Sequence, residues 1–350
     1  METALEHIRS RQNAKGGAVC MVPVSLFRAV TSLVDKLNLS SERLIEKVGL
    51  PQWQELDPKQ LVPGIHYHRL YDAAARAFGS ELFGVMAPKY LPIRSYGIVG
   101  QTIGQAMTGY EAIHIASACM NRVTNISSFW TVEEVERVWW LRKRYQTGDC
   151  SMLHIELATI GYMIDIVRLA AGPGWRPETI CLESDMVPGL EKLEQFADAK
   201  VHWRQGITSM AIPRSVLSRS VTPAEHPSAA QPAADVSTYP TFSSDPMHSL
   251  RQVTRAYLKL GPPTIGQIAD ATGLNVRTLQ RRLAAEGLNY KRLVDQVRFE
   301  VAAELLGDPN APLVDVAFEL GYSEQAHFNH AFRRWTGSTP SQYRRQLSRK

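Results

Sequence analysis

The chain has 350 residues, of which 44% are apolar, so it is long enough for two domains with ordinary hydrophobic cores. This composition excludes a wholly disordered protein. The formal net charge of +5 is unevenly distributed: residues 246–350 carry 15 Lys and Arg against nine Asp and Glu, whereas the rest carries 24 against 25. Positive charge concentrated in this way indicates a C-terminal segment that binds phosphates.

The N-terminal end and the most apolar stretch both favour a soluble, cytoplasmic protein with no membrane partner. Residues 1–20 are polar and lack the apolar core of a signal peptide, so we expect a loose tail there. The apolar stretch 153–171 is interrupted by Glu156, Asp165 and Arg168. Those charges predict a core helix and argue against a membrane span.

Residues 21–217 show helical periodicity first and strand periodicity later, which predicts an α+β domain with helices around an antiparallel sheet. The predicted helices lie within 23–48 (two helices, the second from Ser40), 63–78, and 97–119 (two helices separated near Thr108 and Gly109). The predicted strands are a hairpin, 123–132 with 135–145, and three more at 180–182, 200–203 and 209–212.

Cysteine, histidine and tryptophan residues in this domain give no chemical motif. The four cysteines lie far apart and form no Cys-x-x-Cys pair, which favours buried reduced thiols over a redox switch; they are Cys20, Cys119, Cys150 and Cys181. His66 and His68 have the wrong spacing for a metal pair on a helix, so we expect structural roles and no metal or cofactor. Six tryptophans are compatible with a ligand pocket, a core or a dimer surface: Trp53, Trp130, Trp139, Trp140, Trp175 and Trp203.

Residues 218–246 are rich in Pro, Ser and Ala and have little apolar periodicity. Such a segment cannot build a core, so it predicts a flexible tether. The segment separates the N-terminal domain from a C-terminal domain that we place at 247–350.

Residues 313–334 predict a helix-turn-helix. Val314, Val316, Ala317 and Leu320 form an apolar stripe on a first helix, Gly321 suits the turn, and Ser323 is placed to N-cap the second helix. On a helical wheel the second helix separates an apolar face from a polar one. The apolar face holds Phe328, Ala331 and Phe332, and the opposite face holds Ala326, Asn329, His330 and Arg333.

A second helix-turn-helix occupies about 264–284, with a glycine at the turn and Asn275 as N-cap. Leu279 and Leu283 are expected to face inward, opposite Arg277, Thr278, Gln280 and Arg281. A long helix over 290–306 links the two motifs. Two such motifs on a rigid spacer can address successive major grooves, about 34 Å apart along the duplex. We call the second helix of each motif its reading helix.

Residues 246–350 resemble the DNA-binding region of the AraC/XylS family of bacterial transcription regulators. The resemblance includes Arg298-x-x-x-Ala302 and Leu305-Leu306 in the linker helix, and Gly337-x-Thr-Pro340-x-x-Tyr343-Arg344 after the second motif. It implies an all-α domain with two helix-turn-helix motifs.

The N-terminal part resembles the regulatory domains of the arabinose-binding-like branch of that family, in 79–84, 96–100 and the aromatic hairpin. That resemblance implies effector binding or self-association. It assigns no effector-binding residue.

Arg and Gln side chains can each make two hydrogen bonds to one base, guanine and adenine respectively. The predicted base-reading residues are Arg277, Thr278, Gln280, Arg281, Gln325, Ala326, Asn329 and His330. The predicted phosphate contacts are Arg282, Arg333, Arg334 and Arg344. A merely solvated helix face is the alternative for the first motif, and a scaffold with phosphate contacts is the alternative for the second.

The second motif departs from the family, which often has long basic or amide side chains where this chain has Ala326 and His330. Ala326 is still suited to touch a thymine methyl group. Arg298, among core residues of the linker helix, is expected to form an internal ion pair with Glu286, Asp295 or Asp315.

These features favour an effector-responsive, sequence-specific transcriptional regulator over an enzyme. The expected partners are double-stranded promoter DNA, a second copy of the chain in a homodimer, a small-molecule effector, and RNA polymerase if the protein is an activator. An effector-independent regulator, a general DNA-organising protein and an enzyme with a DNA-binding appendix are the alternatives. The chain has no phosphate loop, dinucleotide fingerprint, Gly-x-Ser-x-Gly elbow or zinc-binding helix motif, so the enzyme has the least support.

Overall fold

The computed structural model describes residues 19–49, 54, 56–144, 152–221, 235–239, 245–258 and 261–347. Of these, residues 20–239 belong to an N-terminal compact unit and residues 245–347 to a C-terminal one. Residues 1–18 of the predicted tail 1–20, Trp53, Cys150 and most of the predicted tether lie outside the described residues. Val19 and Cys20 are buried, so the prediction of a loose tail was wrong for these two residues.

The described part of the N-terminal unit contains eight α-helices: α1 (Val24–Lys36), α2 (Ser41–Val48), α3 (Gly64–Phe78), α4 (Phe83–Tyr90), α5 (Gly97–Ile103), α6 (Gly109–Val123), α7 (Leu153–Ala171) and α8 (Arg214–Leu217). The predicted helices are confirmed, and the apolar stretch 153–171 is α7. Local signals set several ends: Ser40 caps α2 by accepting from the Arg43 amide, and Gly49 ends α2 at φ 78°.

Helix α4 was not predicted, because Gly84 and Pro88 weaken its helical pattern. Helix α4 packs closely against α7 through Gly84 on α4 and Gly161 on α7. A Cβ atom on Gly84 would lie 2.1 Å from the carbonyl oxygen of His154, and one on Gly161 would lie 3.1 Å from the carbonyl oxygen of Val85. The two glycines therefore let the helix backbones touch.

A five-stranded sheet lies beside these helices. Its strands are β3 (Ser127–Glu133), β4 (Arg137–Arg144), β5 (Thr179–Cys181), β6 (Lys200–His202) and β7 (Thr208–Pro213). Their order across the sheet is β3-β4-β7-β5-β6. The prediction of a purely antiparallel sheet was wrong, because β5 and β6 pair in parallel. The first hairpin strand starts at Ser127 and not at Val123, since α6 continues to Val123.

A separate two-stranded sheet joins β1 (Met21–Pro23) to β2 (Leu61–Pro63). Neither strand was predicted, because three residues are too few to show a period of two. Because the pair is antiparallel, α1 starts beside Gln60, whose carbonyl accepts from the Val24 amide, and α3 starts beside Cys20, whose carbonyl accepts from the Gly64 amide.

The hairpin strands alternate between the two faces of the five-stranded sheet. One face carries Trp139 and Leu141, which pack with Cys181, Ile207 and Ala211 in a buried cluster, with Trp130 and Val132 packed against it. The other face carries Phe129, Trp140 and Arg142 at alternate positions. The described cysteines, Cys20, Cys119 and Cys181, are buried thiols, as expected.

The predicted tether packs on the N-terminal unit at 218–221, where the Val221 amide donates to the Met107 carbonyl at 2.8 Å, and at 235–239. Val236–Thr238 forms a short 3-10 turn, and Tyr239 is buried. The Tyr239 and Ser25 hydroxyls lie 3.2 Å apart, and Arg122 donates to the Ser237 carbonyl at 2.9 Å. Flexibility of the part of the tether that lies outside the described residues stays a prediction.

The described part of the C-terminal unit is all helical: α9 (Pro246–Leu258), α10 (Ile265–Ala271), α11 (Val276–Ala285), α12 (Tyr290–Leu305), α13 (Leu313–Glu319), α14 (Gln325–Thr336) and α15 (Pro340–Leu347). The α9 helix packs on the linker helix α12, where Arg251 pairs with Glu300 and Arg255 with Glu304. Neither unit has, among its described residues, a helix long and apolar enough to cross a membrane.

Arg298 on α12 does not form the predicted ion pair among the described residues. Its Nε donates to the Leu320 carbonyl at 3.1 Å, and its guanidinium lies 4.4 Å from the centre of the Tyr322 ring. A backbone acceptor and an aromatic face thus replace a carboxylate, and they fix the end of α13 to α12.

Candidate nucleic-acid interface and a buried cavity

The first helix-turn-helix consists of α10 and α11, and its turn has the expected local chemistry. Thr264 and Gln267 form a capping box at the start of α10. Gly273 takes φ 65° in the turn, and the Asn275 side chain accepts from the Thr278 amide at 2.8 Å. Leu279 and Leu283 are then fully buried. The opposite face of α11 is left to solvent.

The predicted reading residues of α11 lie on that outer face. The side chains of Arg277, Gln280 and Arg281 are exposed, whereas Thr278 is half-buried next to the cap. Arg282, a predicted phosphate contact, is exposed one position further along. Three long hydrogen-bonding side chains on one exposed helix face match the chemistry of major-groove reading.

The second helix-turn-helix consists of α13 and α14 and differs in its turn. Gly321 takes φ 75°, and a Cβ atom there would lie 3.0 Å from the Leu258 carbonyl oxygen. The Ser323 N-cap prediction was wrong: α14 follows Glu324, and no side chain caps it. The turn here spans 320–324, one residue more than 272–275 in the first motif, and this displaces Ser323 from the capping position.

Helix α14 buries Phe328, Ala331 and Phe332 as predicted. Val314 on α13 is 39% exposed, so it lies outside the predicted apolar stripe. On the outer side of α14, Ala326 and His330 are exposed, whereas Gln325 and Asn329 are half-buried.

The two reading helices can be aligned by their buried residues, so that Leu279 matches Phe328 and Leu283 matches Phe332. Arg281 then corresponds to His330. In the same register Arg277 corresponds to Ala326, and Gln280 to Asn329. The first motif therefore presents the longer hydrogen-bonding side chains.

The predicted phosphate contacts are placed unequally. Arg333 is exposed at the outer side of α14, whereas Arg334 lies 3.4 Å from the Asp295 carboxylate. Arg344 donates to the carbonyls of Pro309 and Ala311, at 3.4 and 2.6 Å. Arg344 therefore ties α15 to the segment before α13.

An open groove of about 470 Å³ runs beside α14. Its lining includes one acidic residue, Asp295, and five basic ones, Lys291, Arg298, His327, His330 and Arg334. Most of these are basic, so the groove adds to the positive surface around the second reading helix.

The N-terminal unit encloses a separate cavity of about 70 Å³ with a mainly aromatic and aliphatic wall. The sheet contributes Ser127, Phe129 and Trp140, and four tyrosines contribute hydroxyls: Tyr67, Tyr71, Tyr96 and Tyr162. The Tyr67 and Tyr96 hydroxyls lie 2.5 Å apart. The Tyr162 hydroxyl is buried and has no hydrogen-bond partner among the described residues. Burial raises the pKa of Tyr67, Tyr71 and Tyr162 well above the usual value, so all three stay neutral donors.

Arg142 lies next to the cavity wall on the same face of the sheet. It pairs with Phe129 across β3 and β4 and follows Trp140 by two residues. Its side chain is completely buried, and none of its three guanidinium nitrogens has a hydrogen-bond partner among the described residues. Burial lowers the pKa of Arg142, although Glu156 and Glu183 oppose that shift.

Two family models match separate parts of the chain. The model described as the arabinose-binding domain of the AraC transcription regulator matches residues 39–221, more than half of the chain, and the model of a helix-turn-helix domain matches residues 268–346. The chain belongs to the AraC family of transcriptional regulators. This family consists of DNA-binding transcriptional regulators.

Individual AraC-family relatives match over about a quarter of this chain. The regulator VqsM of Pseudomonas aeruginosa is 42% identical over 101 residues, which are 28% of this chain and 31% of VqsM. The regulator VirS of Mycobacterium tuberculosis is 46% identical over 92 residues, or 26% of this chain and 27% of VirS. The chain thus aligns with less than a third of either relative.

Two further similarities extend over nearly the whole AraC-family chain. The ornithine utilization regulator of Pseudomonas aeruginosa is 22% identical over 93% of this chain and 96% of its own length. A crystal structure of the regulator CdpR from Pseudomonas aeruginosa aligns with 91% of this chain and 97% of CdpR, at 21% identity and a TM-score of 0.41.

Sequence reasoning found both reading helices but missed the cavity and Arg142. A signal for Arg142 was present, since it continues the alternation of Val138 and Trp140 and therefore occupies an inward position of β4. The cavity had no such signal, because its wall comes from seven separate helices and strands. Of the tryptophans, Trp140 lines the cavity, whereas Trp139 lies in the cluster on the opposite face.

Proposed function

We propose that this AraC-family protein binds double-stranded promoter DNA in a sequence-specific way and responds to a small effector. The observation that supports DNA reading best is the outer face of α11, where Arg277, Gln280 and Arg281 are exposed above a fully buried Leu279 and Leu283. Such a face fits the major groove without loss of the packing that holds the helix.

Within this proposal α11 is the main base-reading helix and α14 the weaker one. Arg281 and Gln280 are suited to two-hydrogen-bond contacts, with Arg277 and Thr278 beside them. On α14, Ala326 and His330 face outward and Gln325 and Asn329 border them. Arg282, Arg333 and Arg334 contact phosphates, and Arg334 does so only by leaving Asp295. Arg344 acts as a structural tie.

The N-terminal unit supplies regulation. Its enclosed cavity, with tyrosine hydroxyls and an apolar wall, has the character of a small-molecule site. We also propose that this unit forms a homodimer, so that two DNA-binding domains meet one promoter. If the protein activates transcription, it then contacts RNA polymerase from the bound promoter.

The DNA-binding proposal is tested by selecting sites from randomised duplexes with the full chain. The selected site should bind at least ~1,000-fold more tightly than random duplex of the same length at equal salt. Fluorescence anisotropy with competitor DNA measures this ratio. Equal binding to all sequences would identify a DNA-organising protein instead of a regulator.

A further inference from the structure

The Arg142 guanidinium is a buried positive charge that has no direct acceptor in the part of the chain that the structure describes. All three of its nitrogens are inaccessible and have no hydrogen-bond partner among the described residues. Removing an ion from water without pairing it is strongly unfavourable. An anion that binds beside such a group therefore lowers the free energy of the folded protein.

The neighbouring carboxylates of Glu156 and Glu183 interact with donors other than Arg142. Glu156 accepts from the amides of Glu183 and Ser184, at 2.7 and 3.0 Å, and from the Thr208 hydroxyl at 2.5 Å. Glu183 pairs with Arg144 at 3.0 Å and lies 3.9 Å from Lys143. These two acids therefore lower the energy of the buried charge only through space.

Arg142 and the charged side chains around it carry a net charge of +1, which one monoanion would balance. They comprise three cations, Arg142, Lys143 and Arg144, against the carboxylates of Glu156 and Glu183. His68 adds no charge, because burial and the two arginines lower its pKa to about 3. One added carboxylate would balance the remaining positive charge.

The adjacent cavity defines the rest of such a ligand. Phe129 and Trp140 line it and lie next to Arg142 on the sheet, and Tyr162 offers a hydroxyl that no described residue pairs with. Its volume of about 70 Å³ is well below the roughly 150 Å³ that holds benzene in an engineered cavity of another protein. Only a short, slender hydrocarbon group fits without expansion.

We propose that the N-terminal unit binds a short aliphatic monocarboxylate of about three to five carbons, with its hydrocarbon part in the cavity and its carboxylate on Arg142. This inference rests on the proposed effector function of the same cavity. Arg142 does not itself line the cavity, so binding includes a side-chain rearrangement at the wall that Phe129 forms.

The first test is calorimetric titration of the full chain with a ligand series at constant ionic strength. The probes are the sodium salts of propionate, butyrate, pentanoate, hexanoate and octanoate, each beside its neutral primary amide. Affinity should pass through a maximum near butyrate or pentanoate and fall for octanoate. Each amide should bind at least roughly tenfold more weakly than its acid, because it lacks the charge-assisted pair.

Two arginine variants separate a direct contact from a general charge effect. Arg142→Met should weaken binding of the best acid at least ~tenfold and remove the preference for acid over amide. Arg144→Met removes the same charge from a side chain that is 39% exposed, and should change affinity less than about threefold. Thermal melts of both variants check that they remain folded.

If Arg142→Met fails to fold, Ala158→Leu serves as the second variant. Ala158 lines the cavity, so a larger side chain there should abolish acid binding while leaving the guanidinium in place. Retained binding in Ala158→Leu, or in a folded Arg142→Met, would overturn the assigned site.

The remaining outcomes also decide the proposal. Amides that bind as tightly as acids would overturn the carboxylate assignment but leave an effector cavity. Absence of binding by every acid to the folded full chain would overturn the inference altogether. Loss of sequence-specific DNA binding in the selection experiment is a different result, and it alone would overturn the proposed regulator.

Discussion

The two reading helices differ at single equivalent positions, most clearly where Arg281 of α11 corresponds to His330 of α14. Both side chains are exposed. An arginine can grip guanine with two hydrogen bonds, whereas a histidine offers one at most. Specificity should therefore be unequal between the two halves of a binding site.

We expect Arg281→Ala to flatten base preference at one or two positions in one half of the site, at a loss of roughly 1–3 kcal/mol of discrimination. His330→Ala should weaken binding modestly at all sequences. The measurement is anisotropy on the selected site and its single-base changes, with Arg345→Ala on α15 as an exposed-arginine control. Abolished recognition in His330→Ala with intact Arg281→Ala would reverse the assignment.

Asp72 on α3 should make the N-terminal unit sensitive to pH. Its Oδ1 atom is buried without a hydrogen-bond partner among the described residues, and burial raises the pKa of the carboxyl from 3.8 to about 6. The folded state thus favours the protonated form. The stability that this group contributes is greatest below about pH 4 and is lost as pH rises through 6.

Asp72→Asn should accordingly raise the melting temperature relative to the parent at pH 8 and leave it nearly unchanged at pH 4. Thermal melts across that range measure the difference, and Glu191→Gln, at an exposed acid, is the control. A constant difference between parent and Asp72→Asn at all pH values would contradict the titration argument.

At the scale of elements, the two helix-turn-helix motifs differ in how the second helix begins after the turn. Asn275 caps α11 with its side chain, whereas α14 begins without a side-chain cap. Both turns rely on a glycine at positive φ, Gly273 and Gly321, where a side chain would be strained. The extra residue in the second turn accounts for the lost cap.

We expect Asn275→Ala to destabilise the C-terminal domain by about 1 kcal/mol, because the Thr278 amide loses its acceptor. Ser323→Ala, the matched change in the second turn, should be neutral within ~0.5 kcal/mol. Urea unfolding of the fragment 240–350 measures both. Equal destabilisation by the two changes would mean that Ser323 caps α14 after all.

At the scale of the whole molecule, we expect a division of labour between the two units. Fragment 240–350 should fold alone and retain sequence preference, and its log affinity should fall with log salt at a slope of about −0.9 per phosphate contact. The full chain should sediment as a dimer through its N-terminal unit. An unfolded fragment, or a full chain that is strictly monomeric both free and on its site, would contradict this arrangement.

The amino-acid sequence by itself determined the DNA-binding part and most helix positions. Periodicity, turn glycines and N-caps act over a few residues, so Leu279, Gly321 and Asn275 reveal their roles locally. The tertiary structure alone decided the parallel pairing of β5 and β6, the cavity, and the burial of Arg142 away from every described hydrogen-bond acceptor. Each depends on residues distant in the chain that share one space, and whether a guanidinium meets an acceptor there is set by packing, which no local pattern records.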